Sequence, residues 1–347
     1  MASNDLDRYG YHWTKADRSM IHFSSPEIRN LSLCGSTRVR RYSMGILARL
    51  PLEVLHQLLE QLDFLTLVHL RGLNYASRSI VDSLPAFKYT TQYAANALRA
   101  LSQTKLITVF TASRLLEVLR TDRCMGCQQF GAFLFLLTCS RCCFKCLETD
   151  VRFRVISLAT AKGSRFGLRP RDLRRLPSML SLPGIYALPG RRSVKRRFRL
   201  VSAAEAYALA KTRYSDATAA SAQPTKSMYV LESTWRSMML VSFVDPFRGF
   251  ASTAFPSLDT GSLFVQSGIS CRGCEDACDR IARGELKGVN LLDLVAQRDR
   301  SFSLVEFQEH LSECEGVIWL RELFLGGEKE AAEYLSRQID ILRRESV

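Results

Sequence analysis

The sequence predicts an α+β fold: three short helices near the N-terminus, further helices, a small antiparallel sheet, and two structural Cys/His clusters. Three observations support this. Apolar residues recur at spacings of three and four from Leu52 to Leu119, the period of an amphipathic helix. Short runs of β-prone residues broken by Gly and Pro occupy the second half. Most of the eleven cysteines fall into two groups.

Bulk properties narrow the function classes. A chain of 347 residues, 47% hydrophobic, has material for two or three domains with real cores. It has no run of the roughly 18 apolar residues that a membrane helix needs, and Met1–Arg8 offers no apolar signal core. A reducing compartment, cytoplasmic and/or nuclear, is therefore expected. Clustered cysteines in such a chain point to metal ligation before disulfides. The formal charge of +14 is local: residues 151–200 hold 14 Lys or Arg and one acid, Asp172, so this segment is +13 and the remainder +1.

Residues 1–44 lack a hydrophobic period and read as a disordered tail, with Tyr9, Tyr11, Trp13 and Phe23 available for local contacts. Residues 45–90 form the first unit. Leu52, Leu55, Leu59 and Leu62 make one helix face, Pro51 suits the first turn, and Glu53 sits at the positive end of the helix dipole. Thr66 is the expected cap of a second helix carrying Leu67, Leu70 and Leu73, and Ala76–Ser83 the third helix. So small a core is marginal alone and leans on a partner. Residues 91–160 are a helical linker and the first cysteine cluster. Ala97, Leu98 and Leu101 share one helix face, and Leu115, Leu116 and Leu119 another, capped by Thr111 or Ser113.

That cluster reads Cys124-Met-Gly-Cys127, eleven residues, then Cys139-Ser-Arg-Cys142-Cys143-Phe-Lys-Cys146. Zinc takes four soft ligands in a tetrahedron, and each Cys-x-x-Cys turn aims two thiolates at one point. Cys124, Cys127, Cys143 and Cys146 are assigned as ligands, with Gly126 permitting a tight first turn. Cys139 and Cys142 are the alternative second pair. The apolar Phe130–Leu137 reads as a strand beneath the metal.

Residues 161–228 are basic and partly flexible. Arg171–Leu176 holds single helical turns, Val201–Lys211 a helix, and Thr212–Lys226 a flexible loop. The densest run, Arg191, Arg192, Lys195, Arg196, Arg197 and Arg199, suits phosphate neutralisation, nuclear import or a solvated surface. Residues 229–347 are expected to hold a small sheet, a second metal site and terminal helices broken at Gly326-Gly327. Strands are placed at Met228–Leu231, Met238–Val244, Ala251–Pro256 and Leu263–Gln266. The site pairs Cys271-Arg-Gly-Cys274 with His310 and Cys314, across 35 residues. Ser303 and Glu306 have capping-box spacing between the staple residues Phe302 and Phe307, so a helix starts near Leu304 and carries His310 and Cys314 on one face. A Cys3His zinc site results, with Cys278 as the competing thiol. Four protein ligands leave no open position, which marks both sites, two zinc ions in all, as structural.

Leu50-Pro51-Leu52-Glu53, the Leu62-Asp63 pair, the leucine ladder after Thr66 and the Asn74…Val81-Asp82-Ser83-Leu84-Pro85 exit resemble an F-box. The segment departs from many F-boxes in having no Trp in its third helix. With Cys124-x-x-Cys127, Gly131–Leu136, Arg141–Leu147, Gly268–Cys274 and Phe307–Cys314 following in order, the chain from about Gly45 onward, apart from the loop around 212–226, is similar to fungal F-box proteins. The resemblance implies docking on the Skp adaptor, and through it the cullin, of an SCF-type ubiquitin ligase. Leu50, Pro51, Leu52, Leu55, Leu59, Leu62, Leu67 and Leu70 would carry that contact. It also implies recruitment of an unidentified protein for ubiquitination, with no catalysis by this chain. A zinc-containing nucleic-acid-binding protein using residues 191–199 is the alternative. No phosphate-cradling glycine loop or nucleophile elbow is found.

Overall fold

Short helices and small antiparallel sheets make up the protein. The computed structural model describes residues 3–12, 20–21, 45–163, 165–186, 192–219, 226–240, 247–286 and 288–326. It divides into two compact units, Thr14–Ser267 and Met1–Trp13 with Gly268–Val347.

The N-terminal segment expected to be a disordered tail contributes α1 (Ser3–Tyr9) and β1 (Gly10–Tyr11) to the smaller unit. Tyr9 is buried in a cluster with Phe302, Phe307, Leu311 and Val317. So short a helix and strand give no periodicity to read. Trp13 and Phe23 lie outside the described residues.

The larger unit begins with a 3-10 turn, Gly45–Arg49, then α2 (Leu52–Glu60), α3 (Phe64–Leu73) and α4 (Tyr75–Ser83). Asp63, not Thr66, caps α3. Its carboxylate accepts the Thr66 N–H at 3.0 Å and the Thr66 hydroxyl at 2.6 Å, so the helix starts two residues before Thr66. Asn74 caps α4 through the Ser77 N–H at 2.8 Å. Three more helices follow, α5 (Pro85–Tyr93), α6 (Ala95–Gln103) and α7 (Ala112–Arg120); of the two caps offered for the last, Thr111 rather than Ser113 takes the role. Phe64 stacks on Phe87 of α5 with centroids 5.1 Å apart, and the Ala112 N–H donates to the Leu62 carbonyl at 2.9 Å. The first three helices are thus fused to the next ones. That extended core removes the marginality expected of forty residues standing alone.

Next come β2 (Phe133–Phe135), β3 (Ser140–Cys142), α8 (Phe144–Thr149), β4 (Val155–Ser157), α9 (Leu158–Lys162), α10 (Pro170–Leu173) and β5 (Ser178–Leu180). They are followed by β6 (Gly184–Tyr186), β7 (Arg192–Val194), β8 (Arg199–Ser202), α11 (Ala203–Ala219), α12 (Lys226–Met239), β9 (Ser252–Ala254), β10 (Ser257–Asp259) and β11 (Phe264–Gln266). The named strands all pair antiparallel, in the orders β3-β2-β9, β4-β8-β5, β6-β7 and β10-β11, and Ile21 makes a parallel bridge to Thr253 of β9.

Two expectations fail here. α11 runs on to Ala219, through half of the expected loop, and α12 replaces the strand expected at Met228–Leu231. Leu231 and Met238 are seven apart and buried with Ala203, Ala206 and Ala210. Tyr207 stacks on Trp235 at 4.3 Å. This helix–helix seam overrides the β-propensity of the Met-Tyr-Val-Leu run. β9 accordingly pairs with β2; residues 241–246 lie outside the described set.

Arg141 of β3 is 2% exposed. Its Nη1 donates to the carbonyls of Gly131 at 2.6 Å and Phe255 at 2.9 Å, and its Nη2 to Val118 at 3.1 Å and Pro256 at 2.7 Å. A Cβ on Gly131 would sit 2.5 Å from the Arg141 Cγ, so glycine makes room for the stem. Burial pulls the guanidinium down to about 10, which leaves it charged at neutral pH.

In the smaller unit β1 pairs with β12 (Ser270–Cys271), Gly10 opposite Cys271. Then come α13 (Arg272–Ala282), α14 (Leu291–Arg298), α15 (Leu304–Glu313) and α16 (Glu315–Gly326). The capping box of α15 forms as read from the sequence: Ser303 Oγ accepts the Glu306 N–H and Glu306 Oε2 the Ser303 N–H, both at 3.2 Å. Ile269 and Phe302 exchange backbone hydrogen bonds at 2.8 and 2.9 Å, laying the start of α15 beside β12. The break at Gly326-Gly327 falls at the limit of the described residues.

Replacing Arg141 with Met keeps an apolar stem but strands four carbonyls. A loss of about 3–5 kcal/mol is expected, read from the denaturant midpoint of the full chain. A loss below about 1 kcal/mol would mean that those carbonyls find other donors.

Candidate partner surface and metal centres

The leucine ladder divides into two sets. Leu55, Leu59 and Leu67 are 3%, 5% and 0% exposed. They form the core of the three helices and cannot touch a partner, which corrects their assignment to the binding surface. Leu50, Pro51 and Leu52 are exposed, and Leu62 and Leu70 half-buried. Leu73, read as part of the second helix, is exposed, and the surface also holds residues the sequence reading passed over: Ile46, Val54, Leu58, Leu65 and Tyr75. Val54 and Leu58 lie one turn apart on an exposed side of α2, adjoining the buried side of Leu55 and Leu59. The signal was available. The apolar arc of α2 (Leu52, Val54, Leu55, Leu58 and Leu59) is wider than the strip that Leu55 and Leu59 bury, and a surplus of this kind on the surface marks a protein-binding patch.

Residues 47–89 match the F-box domain. The F-box domain is the module through which SCF-type ubiquitin ligase receptors hold the Skp adaptor. The match ends inside α5, the helix that Phe64 stacks against. The only aromatic of the F-box's third helix is Tyr75, at its exposed first position. No curated protein and no solved structure matches the chain.

Downstream of the F-box, Cys124, Cys127, Cys143 and Cys146 meet, their sulfurs all within 4.8 Å of one another. The first turn hangs from α7 and is fixed by backbone bonds: Cys124 N–H to the Gln129 carbonyl at 2.7 Å, and Met125 N–H to the Arg141 carbonyl at 2.9 Å. Arg152 donates to the carbonyls of Met125 and Gly126, both at 3.1 Å, and is itself held by Asp150. Cys143 is the N-cap of α8, and its sulfur accepts the Cys146 N–H at 3.4 Å; Cys124 Sγ accepts the Gly126 N–H at 3.3 Å. The glycine matters because a Cβ there would lie 2.6 Å from Cys146 Sγ. Cys139 and Cys142, the alternative pair, lie outside the quartet. Burial pushes the Cys139 thiol up to about 12 and the Cys142 thiol well above its ordinary range. Cys142 points instead at the Phe133 carbonyl, 3.7 Å away. Within the quartet, hydrogen bonds from Cys143 and then Cys146 hold Cys124 well below the thiol range.

In the smaller unit Cys271, Cys274, His310 and Cys314 form a second quartet within 4.8 Å. Cys271 ends β12 and Cys274 lies in the first turn of α13. His310 comes from α15 and Cys314 closes that helix, its N–H donating to the His310 carbonyl at 2.9 Å. Phe302 stacks on the imidazole at 4.5 Å and fixes its plane. Cys278, one turn beyond Cys274, is not part of the group. Gly273 and Gly316 bring α13 and α16 into backbone contact: a Cβ on Gly316 would overlap the Gly273 carbonyl. Sequence reading missed this pair, because nothing in the spacing of two distant glycines announces it.

Both donor sets fit zinc. A Zn–S bond of about 2.3 Å in a tetrahedron places sulfurs about 3.8 Å apart. The sulfur separations are 3.6 Å for Cys127–Cys143, 3.8 Å for Cys271–Cys314 and 3.6 Å for Cys274–Cys314. Cys274 Sγ lies 3.3 Å from His310 Nε2. N–H groups aimed at sulfur in the first quartet favour thiolates, the ligating form. Of the basic run, Lys195, Arg196, Arg197 and Arg199 are exposed. Arg191 and the side chain of Arg192 lie outside the description.

Gly316→Ala is expected to push α13 and α16 apart and open the second quartet. Maleimide should then label Cys271 and Cys314 at least about tenfold faster, a protection loss of about 1.4 kcal/mol, with Cys124 unchanged. Unchanged labelling at Cys271 would contradict the packing role.

Proposed function

We propose that this chain is a non-catalytic substrate receptor of an SCF-type ubiquitin ligase, of the kind found among fungal F-box proteins. It holds the Skp adaptor, and through it the cullin, and recruits a protein for ubiquitination. The observation that carries the reading is the F-box match over residues 47–89, supported by the surplus apolar surface of that segment. The adaptor contact runs over Leu50, Pro51 and Leu52 with the edges of Leu62 and Leu70, extended by Ile46, Val54 and Leu58. Buried Leu55, Leu59 and Leu67 act indirectly, by keeping the helices in place.

Each quartet holds one structural zinc ion, two per chain. Cys124, Cys127, Cys143 and Cys146 ligate the first, and Cys271, Cys274, His310 and Cys314 the second. Bound there, zinc supplies cross-linking rather than chemistry, because all four positions are filled by protein. The protein works in the cytosol or nucleus, and no described helix is long and apolar enough to cross a membrane.

Leu50→Asp with Leu58→Asp should abolish co-purification of the Skp adaptor while leaving the denaturation midpoint unchanged. Leu67→Ala should instead cost about 2–5 kcal/mol of stability. Adaptor capture by the Leu50/Leu58 variant would overturn the assignment. Elemental analysis should give two zinc ions per chain, one after Cys143→Ser and still two after Cys142→Ser. The reverse pattern for those two variants would reassign the ligands.

A further inference from the structure

We propose that the exposed cations at the two ends of the β5–β8 ladder form a docking surface for an extended, carboxylate-rich segment of a partner protein. That this partner is the ligase cargo rests on the receptor reading above; the docking itself does not.

The cations form two groups. Arg169, Arg171, Arg174 and Arg175 lie on and around α10, just before β5. Lys195, Arg196, Arg197 and Arg199 lead into β8. All eight are exposed, and none forms an ion pair among the described residues. Asp172, the one acid of the segment, is already engaged: it accepts the Arg169 N–H at 2.8 Å and lies 3.5 Å from Arg213. Eight like charges without counter-charges repel one another, and an anionic partner relieves that repulsion.

The strand register places them at opposite ends of one ladder. β5 and β8 run antiparallel with Ser178 opposite Val201 and Leu180 opposite Arg199, and the Ser181 N–H donates to the Phe198 carbonyl at 2.9 Å. The first group precedes the start of β5 and the second the start of β8, so they flank opposite ends of one ladder. A ladder of three or four residues is about 10–13 Å long at about 3.3 Å per residue. An extended peptide of about six to eight residues therefore reaches both groups. Seven of the eight cations are arginines, whose planar forks bind carboxylates in pairs of hydrogen bonds.

Two other polyanions fit less well. Single-stranded nucleic acid needs open aromatic faces for its bases. Phe198, the aromatic within the basic run, is 38% exposed but leans on Phe247 at 5.5 Å, so the run offers one partly covered ring rather than platforms for successive bases. Duplex readers insert a helix or a two-stranded ribbon into the major groove, whereas these cations sit on a four-residue helix and on the approach to the middle strand of a three-stranded sheet. A dedicated phosphate site gathers cations around one point, but here all eight side chains stand in solvent at two separate places.

The test uses the full-length protein and fluorescence anisotropy. The probes are a labelled Glu-Ser repeat of about a dozen residues, its Gln-Ser and phosphoserine-Gln counterparts, oligo-dT of similar length, and a short DNA duplex. The Glu-Ser peptide should bind with an affinity that falls steeply with salt, while the Gln-Ser peptide should not bind. Charge reversal at Arg174, Arg175, Arg196 and Arg197 should weaken binding at least tenfold, whereas Arg120→Glu with Arg236→Glu should not. Salt dependence in the unaltered protein keeps the test valid if the reversed variant misfolds. Absent Glu-Ser binding, binding of the phosphorylated peptide only, tighter binding of either nucleic acid, or equal loss in both variants would overturn the proposal. Skp capture measured on the same preparation reports separately on the F-box, so failure of one reading is not mistaken for failure of the other.

Discussion

The larger unit buries two arginines, Arg154 and Arg141, and the second ties together segments far apart in sequence. Arg141 reaches the carbonyl of Val118 at the end of α7, that of Gly131 before β2, and those of Phe255 and Pro256 after β9. Its own carbonyl takes the Met125 N–H of the first cysteine turn. Segments far apart in sequence are thus tied to one planar group. A lysine could not make the same set of contacts, because its ammonium offers three donors around a point rather than a fork. The cost is a charge drawn out of water, offset by hydrogen bonds rather than by a carboxylate. Cys142 and Cys143 follow Arg141 directly, so the placement of the guanidinium also bears on which cysteine joins the quartet and which is turned into the core.

Much of this was legible beforehand, wherever local chemistry controlled the outcome. The Ser303/Glu306 box, the Thr111 cap and the convergence of Cys124, Cys127, Cys143 and Cys146 all follow from short-range spacing. The failures arise where distant contacts decide. Met228–Leu231 has the side chains of a strand, yet packing against the alanines of α11 makes it a helix. Thr66 looked like a cap because its hydroxyl is the right kind of group; Asp63, three residues earlier, is the stronger acceptor and takes the role. α1 and β1 were invisible because their order comes from β12 and Phe307, more than 250 residues away.

The F-box shows why apolar pattern and binding surface must be separated. A ladder of leucines at helical spacing reveals helices, but it does not say which leucines face inward. Structure assigns Leu55, Leu59 and Leu67 to the core and leaves Leu50, Leu52, Val54 and Leu58 outside. Fusion to α5 and α7 through Phe64, Phe87 and the Leu62 carbonyl means that the domain need not borrow its stability from whatever covers that outer face. The surface can therefore remain apolar for recognition.

The pairing of β1 with β12 carries a consequence for biosynthesis. Gly10 and Tyr11 leave the ribosome early, but their partners Cys271 and Ser270 emerge about 260 residues later. At about 5–20 residues per second the wait is about 13–50 s, long enough for the intervening unit to finish folding first. During that interval the nascent Gly10–Tyr11 segment offers an unpaired backbone edge next to the unburied ring of Tyr9, a stretch that chaperones or neighbouring chains on a polysome can reach.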